Sequence, residues 1–513
     1  MEWGRVRLRF LASLGMTETK FKIMIHNNLS KRSLLALLGW LMLIASSCSK
    51  KFITQTPYDG VLTDEAITNV VTLQAALTGA YNRLNGIYGS NEVNNPAGLF
   101  GRDLPIIGDL QADNTYITIS NTNRYLTEYQ YNIINTNAEY AEMFNAAYAV
   151  ILSANQVIDA DITGDGVTQI KAQAYGLRGL MYFVLVNLYA RPSYTADSSA
   201  MGVPLVLHYD PYVLPSRSSV GTVYNQIVSD LQEAFQDCPD YANSVTLSKY
   251  SAEALLARTY LYMGKNAEAK AAAVDVINNS GFQLVSPANY RAFWSNPAVQ
   301  TNQTEVMFEV NEDVNQNNGF EDFAGMYENG YDDIYASSQL VNLYSPTDVR
   351  LSVIQAGTNA AGYPGYIVTK FPNASNSDRD NIKVIRLAEV YLIAAEASLP
   401  DNEADAKMYL NDLMAQRDPS LTYTSTGAQL LDDIVTERRK ELAFEGLRLW
   451  DMNRLQRDIV RGTDQGALPI SAQAVPTAPT IPYSNYERIG PIPENEILAN
   501  PNIANEQNPG YGQ

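Results

Sequence analysis

Apolar and small residues recur at i, i+3 and i+4 along most of this 513-residue chain, and that period makes the amphipathic helix its building block. Leu73, Ala76, Leu77, Ala80, Tyr81 and Leu84 form one such stripe. The same spacing runs through 143–158, 170–189, 223–235, 252–263 and 267–277, and returns in 384–399, 404–414 and 430–449. Sustained two-residue alternation is missing, so long strands are not expected. Between 256 and 276 the pattern sharpens. Leu256, Ala257, Tyr260, Gly264, Ala269, Ala273 and Val276 sit at the offsets of a tetratricopeptide unit. Small residues there let two antiparallel helices approach, the aromatic fills the seam, and Gly264 permits the turn. Ala394, Ala397, Ala406, Leu410 and Leu413, followed by Pro419, outline a looser second pair. The expected fold is mainly α: tetratricopeptide-like helix pairs, a large loop-rich lobe and few short strands.

Two regions depart from the helical period. Residues 86–135 and 286–383 are rich in Asn, Gly, Tyr and Asp. Loops of that length in a folded protein are functional or disordered, and these hold enough aromatics to be ordered. A ligand is sought there first.

The N-terminus reads as an address. Lys31 and Arg32 precede the apolar run 34–44, and the small residues Ala45, Ser46 and Ser47 lead to Cys48. A basic start, a short apolar core and a small-residue exit define a secretory signal. The run is too short to span a bilayer, which takes about twenty residues. Cysteine directly after the small residues resembles a bacterial lipobox, although Ala45 stands where Leu is usual. It implies that Cys48 becomes an acylated N-terminus, palmitate-type chains anchoring the body without spanning the membrane. Residues 1–23 add nothing to such a signal and read as an over-extended start. The expected layout is a signal peptide over 1–47, a lipidated tether over 48–60, an N-terminal helical part over 61–285, a loop-rich insertion over 286–383, and a C-terminal helical part and tail over 384–513.

Composition narrows the chemistry. The leader holds seven Lys/Arg and two Asp/Glu, so the remainder carries 29 basic against 53 acidic side chains. That acidity argues against nucleic-acid binding, which needs a basic footprint, and fits an extracytoplasmic surface. Two cysteines, Cys48 and Cys238, exclude a disulfide framework or a Cys-rich zinc site. With His26 in the leader, any histidine-based triad would rest on His208 alone, which reads as a strand-like segment entering a turn. No metal or other cofactor is expected. Asp161 to Gly166 has half the look of a calcium loop, but the twelfth position is Ala172, where a bidentate Glu is required. It reads as a turn between helices.

The last third is the most specific. The stretch 437–454, ERRKELAFEGLRLWDMNR, closely resembles the corresponding segment of the SusD/RagB family, and 491–511 resembles that family's IP…NP…QNPGY ending. Residues 52–57, Ala80-Tyr81-Asn82, 178–183 and 386–397 match further family segments, so the resemblance covers essentially 48–513. It implies an outer-membrane lipoprotein that binds a nutrient, an oligosaccharide or polysaccharide, and delivers it to a SusC-like TonB-dependent transporter without acting as an enzyme. A peptide-binding RagB-like role is the alternative on the same scaffold. Ser49-Lys50-Lys51 after Cys48 lacks the acidic cluster often linked to export onto the cell surface, and Leu447 replaces a frequent His.

Glu437, Glu441 and Glu445 follow one another at i, i+4 and i+8. A glycosidase would use two carboxylates facing across a sugar, whereas neighbours on one helix read better as ion pairs with Arg438, Arg448 and Arg386 that orient helices. Trp450 is then a core aromatic. A sugar site needs flat rings for C–H faces and polar groups for hydroxyls. The candidates are Tyr116, Arg124, Tyr125 and Tyr129 in the first loop region, and Trp294, Tyr327, Tyr331 and Tyr335 in the second. Each is weighed against the plainer role of an edge-of-core aromatic.

Overall fold

The computed structural model describes residues 66–86, 98–314, 317–327, 330–358, 362, 364–466 and 480–512; the expected signal peptide, Cys48 and the expected tether lie outside the described residues. Contacts gather Thr68–Gln513 into one compact unit, which contains most of the three body segments anticipated above. Among the described residues no helix is long and apolar enough to cross a membrane.

The N-terminal part opens with α1 (Val70–Asn82), capped reciprocally by Asn69 and Thr72. A short α2 (Asp103–Leu110), strand β1 (Thr115–Ile117) and one-turn α3 (Leu126–Gln130) follow. The long α4 (Ala138–Asp159) and α5 (Val167–Tyr189) come next, then hairpin strands β2 (Met201–Pro204) and β3 (Arg217–Ser219), then α6 (Val220–Asp237). The helices α7 (Lys249–Tyr262) and α8 (Asn266–Asn279) form the sharper of the two anticipated pairs, with Gly264 at φ +69° in the turn. Leu256, Ala257, Ala269, Ala273 and Val276 are buried in their seam.

From there the chain makes α9 (Tyr290–Trp294), β4 (Val306–Val310), β5 (Ile334–Ala336), α10 (Ser338–Val341), β6 (Ile354–Thr358), β7 (Pro364–Val368) and β8 (Ile382–Arg386). The second pair is α11 (Leu387–Ser398) and α12 (Glu403–Met414), followed by α13 (Gly427–Glu441) and α14 (Arg448–Arg454). Strands β9 (Ile459–Val460) and β10 (Thr480–Ile481) and helix α15 (Glu494–Ala499) finish the chain.

Helix α5 is buried almost all round, as a helix apolar on every face must be. It packs between α4 and α6; the stack continues through α7, α8 and α11 to α12. Arg178 of α5 ties this stack together, with Nε and Nη2 on Asp230 of α6 at 2.9 and 2.7 Å and Nη1 on Asn155 of α4 at 2.9 Å. Buried and bidentate, this pair has the geometry that makes an ion pair specific.

Two expectations need correction. The stretch 384–399 is not all helix: 382–386 is strand β8, paired antiparallel with β4, and the helix starts at Leu387. The stretch 430–449 is broken after Glu441, because Phe444 and Gly446 adopt φ of +69° and +79°. Gly446 is pressed against α2. A Cβ on it would lie 2.5 Å from Pro105 Cα, and its N–H donates to Asp109 Oδ2 at 2.8 Å. The loop regions are ordered and carry the short strands. Strands β1, β5, β7 and β6, in that order, form an antiparallel four-stranded sheet from residues whose short alternations gave no signal.

Candidate functional site

The three glutamates of the C-terminal segment point into a closed ionic network. Glu437 meets Arg350 at 2.6 Å and Lys440 at 2.7 Å. Glu441 meets Arg386 and Arg417 at 2.9 Å each and Arg350 at 3.3 Å, while Glu445 meets Arg386 at 2.6 Å and Lys370 at 2.8 Å. Glu305 bridges Arg386 and Arg417, and Asp348 binds Arg350 and Lys440. Five acids (Glu305, Asp348, Glu437, Glu441, Glu445) thus face five bases (Arg350, Lys370, Arg386, Arg417, Lys440), every side chain enclosed.

Burial opposes charge on Glu441, but Arg417, Arg386 and Arg350 outweigh it and hold the carboxyl far below the usual range. Burial also brings Lys370 down to about 8 against the pull of Glu445. A glycosidase acid must keep its proton near neutrality and face a sugar. Glu441 does neither, so this network orients strands and helices. Two of the expected partners differ: Arg438 turns to Glu389 and Asp451, and Arg448, which lies beyond the break after Glu441, pairs with Asp113. Trp450 is buried against Phe183.

Of the candidate ligand residues, Arg124 and Tyr331 come together at the surface. The Arg124 guanidinium lies 3.5 Å over the Tyr331 ring and holds Asp333 Oδ2 and Thr122 Oγ1 at 2.9 Å each. The Tyr331 hydroxyl donates to Glu321, whose other oxygen takes Arg102 at 2.6 Å; that bond to Glu321 chiefly raises the phenol pKa. Tyr331 also meets Phe320 edge-on at 6.4 Å, and Phe320 is 51% exposed. Burial pushes Asp333 up to about 6, partly offset by Arg124.

Tyr116 and Tyr335 are a cross-strand pair of β1 and β5, edge-to-face at 6.2 Å. Both are buried; a Cβ on Gly365 of β7 would lie 2.2 Å from the Tyr335 ring, so only glycine lets that backbone cover it. Tyr125 and Tyr129 are buried beneath, the first donating to Asp103 at 2.5 Å and the second under Arg461 at 4.4 Å. Trp294 and Tyr327 meet separately through Phe371. Trp294 is 1% exposed, with Lys370 at 4.0 Å and Lys383 and Arg386 at 5.1 Å from its ring. These enclosed rings have no free face for a sugar. Phe320 and Glu321 escaped the sequence reading, since a phenylalanine among Asn and Gly gives no hint of being left in solvent.

His208 stands exposed, 3.2 Å from Asp159. Residues 160–166 form the anticipated turn between α4 and α5.

Comparison with known proteins gives a consistent set of relatives. Residues 351–511 match the model of the SusD family, and residues 64–261 match one described as starch-binding, associating with the outer membrane. The SusD-like protein P2 of Formosa agariphila is 26% identical over 88% of this chain and 95% of its own length. A solved SusD superfamily protein of Bacteroides thetaiotaomicron superposes with a TM-score of 0.76 at 31% identity, covering 86% of this chain and all of the other. A laminarin binding SusD-like protein shares the fold, with a TM-score of 0.66 at 23% identity over 87% of this chain and all of the other.

Proposed function

Because this chain belongs to the SusD family, we propose that it captures an oligosaccharide or polysaccharide at the outer membrane and passes it to a SusC-like TonB-dependent transporter. Acyl chains on Cys48 hold it at the membrane, with the body facing the cell exterior. It binds its ligand and leaves it chemically unchanged.

The observation that carries the reading is the surface group of Phe320, Tyr331 and Arg124. Phe320 offers a ring to the apolar C–H face of a sugar, and Arg124, Glu321 and Thr122 stand beside it as hydroxyl partners. The aromatic geometry is set in advance, because Tyr331 is clamped between Arg124 and Glu321, which lowers the ordering cost of binding. The laminarin binding relative and the starch-binding family description support a glycan as ligand. Tyr116, Tyr125, Tyr129, Trp294, Tyr327 and Tyr335 serve as packing residues of the interior.

Isothermal titration with starch-derived oligosaccharides and laminarin tests the proposal. Saturable binding is expected, weakened roughly two- to tenfold by Phe320→Ala, the worth of one stacking contact. Binding of peptides and of no glycan would defeat it.

A further inference from the structure

On another part of the same unit, a concavity of about 230 Å³ opens between α4, the loop 204–215 and α15. Its walls are largely apolar: Phe144, Ile151 and Leu152 on one side, Val213 and Leu214 on the other, Ile503 at one end. The apolar surface continues outside it, where Tyr212, Val213 and Leu214 are 87%, 42% and 47% exposed. Three consecutive large apolar side chains in water are unfavourable by roughly 25 cal/mol per Å² of apolar area.

The loop bearing them is tied down. Asn500 Nδ2 donates to the Pro215 carbonyl at 2.8 Å, and Asn502 Nδ2 to that of Leu214 at 2.6 Å. Asp210 Oδ1 accepts from the Tyr212 N–H at 2.9 Å, and the Tyr148 hydroxyl donates to the Pro204 carbonyl at 2.7 Å. The exposed side chains are therefore presented on a fixed backbone.

Two carboxylates, Asp210 and Glu496, stand in the walls, and no ion pair to either is found among the described residues. Burial alone raises the Glu496 pKa, with no cation to offset it. An apolar hollow edged by unneutralised acids complements an apolar group that carries positive charge beside it.

We propose that this cleft docks a segment of a partner polypeptide in which an aromatic or branched aliphatic side chain is flanked by lysine or arginine. The volume lies below the roughly 300–1,000 Å³ of pockets for whole small ligands and suits one or two side chains. A fully buried apolar anchor inside a polar rim is the anatomy of a protein interface. The acidic rim disfavours an anionic lipid surface, and a second copy of this chain, at a net charge of −19, brings mostly like charge. The inference stands apart from the glycan reading.

A displayed library of random decapeptides, selected on the whole mature protein and counter-selected on Leu214→Ser, tests it. The expected enrichment is Lys or Arg next to Trp, Phe, Leu or Ile. An enriched peptide, fluorescently labelled, should bind saturably below about 1 mM, and roughly tenfold more weakly to Leu214→Ser. It should also bind more weakly to Glu496→Gln, while circular dichroism and glycan affinity of both variants stay unchanged. No enrichment, an acidic motif, or equal affinity for both variants overturns the proposal. So does free indole binding as tightly as the peptide, adsorption to phosphatidylglycerol vesicles that Leu214→Ser abolishes, or self-association that Leu214→Ser abolishes.

Discussion

Replacing Glu441 by Gln removes one negative charge from the middle of a balanced, solvent-free network. The side chain it removes contacts Arg350, Arg386 and Arg417, at 2.9–3.3 Å. An amide keeps the shape, but leaves a net positive charge among groups that water cannot reach. Breaking a buried ion pair on one side costs about 3–5 kcal/mol. Unfolding entropy of about 2.1 cal/mol/K per residue, taken over the 446 residues from Thr68 to Gln513, amounts to roughly 0.9 kcal/mol/K. Scanning calorimetry should therefore show Tm lower by about 3–5 °C. The pH dependence has a definite sign. In the fold this carboxyl titrates far below its unfolded value of 4.5, so its contribution is complete above that value and is lost as pH falls beneath it. The Tm gap between wild type and Glu441→Gln should be constant from about pH 6 to 8 and narrow on acidification below about pH 4. Adding Arg417→Met, which removes a matching cation, should recover part of the loss. A loss under about 1 kcal/mol, or a gap that widens in acid, would refute the network as described.

Gly446→Ala places a methyl against Pro105 at a left-handed φ, so the urea midpoint should fall by the equivalent of about 2–4 kcal/mol; an unchanged midpoint would contradict the close approach of α2. Burial pushes Asp109 up to about 6 from 3.8, against hydrogen bonds from Gly446 and Asn114. The folded state therefore holds the proton that the unfolded chain releases, and stability falls as pH rises across that window. Asp109→Asn should flatten this part of the pH–stability curve, and a curve of unaltered slope would show that the group titrates normally.

The helical half was legible because its period is local. Leu256, Ala257, Tyr260 and Ala273 announce both the helices of their pair and the face each buries, and the family segment 437–454 carried the fold assignment. The break at 442–447 was hidden because Leu442, Ala443 and Phe444 continue an apolar run. What ends the helix is the distant Asp109 and Pro105 backbone meeting Gly446. The four-stranded sheet was hidden for a similar reason, since three-residue strands such as β1 show too little alternation to register. The ligand candidates were chosen by residue type, and type does not report exposure. Tyr129 and Tyr331 look alike in sequence; one lies under Arg461 and the other reaches the surface with Arg124. Carboxylate spacing suggested ion pairing, but the partners Arg350 and Arg417, and the Glu305 that shares Arg417 with Glu441, come from other segments and could not have been listed from a helical wheel.

The most direct test of glycan capture without chemistry pairs titration calorimetry with an assay for new reducing ends on the same samples of mature protein with starch oligosaccharides and laminarin. The account predicts a saturable binding isotherm, its affinity reduced in Phe320→Ala and Tyr331→Ala at unchanged Tm, with the glycan recovered intact. Release of reducing ends that Glu441→Gln abolishes, or heat from peptides and from no glycan at all, would contradict it.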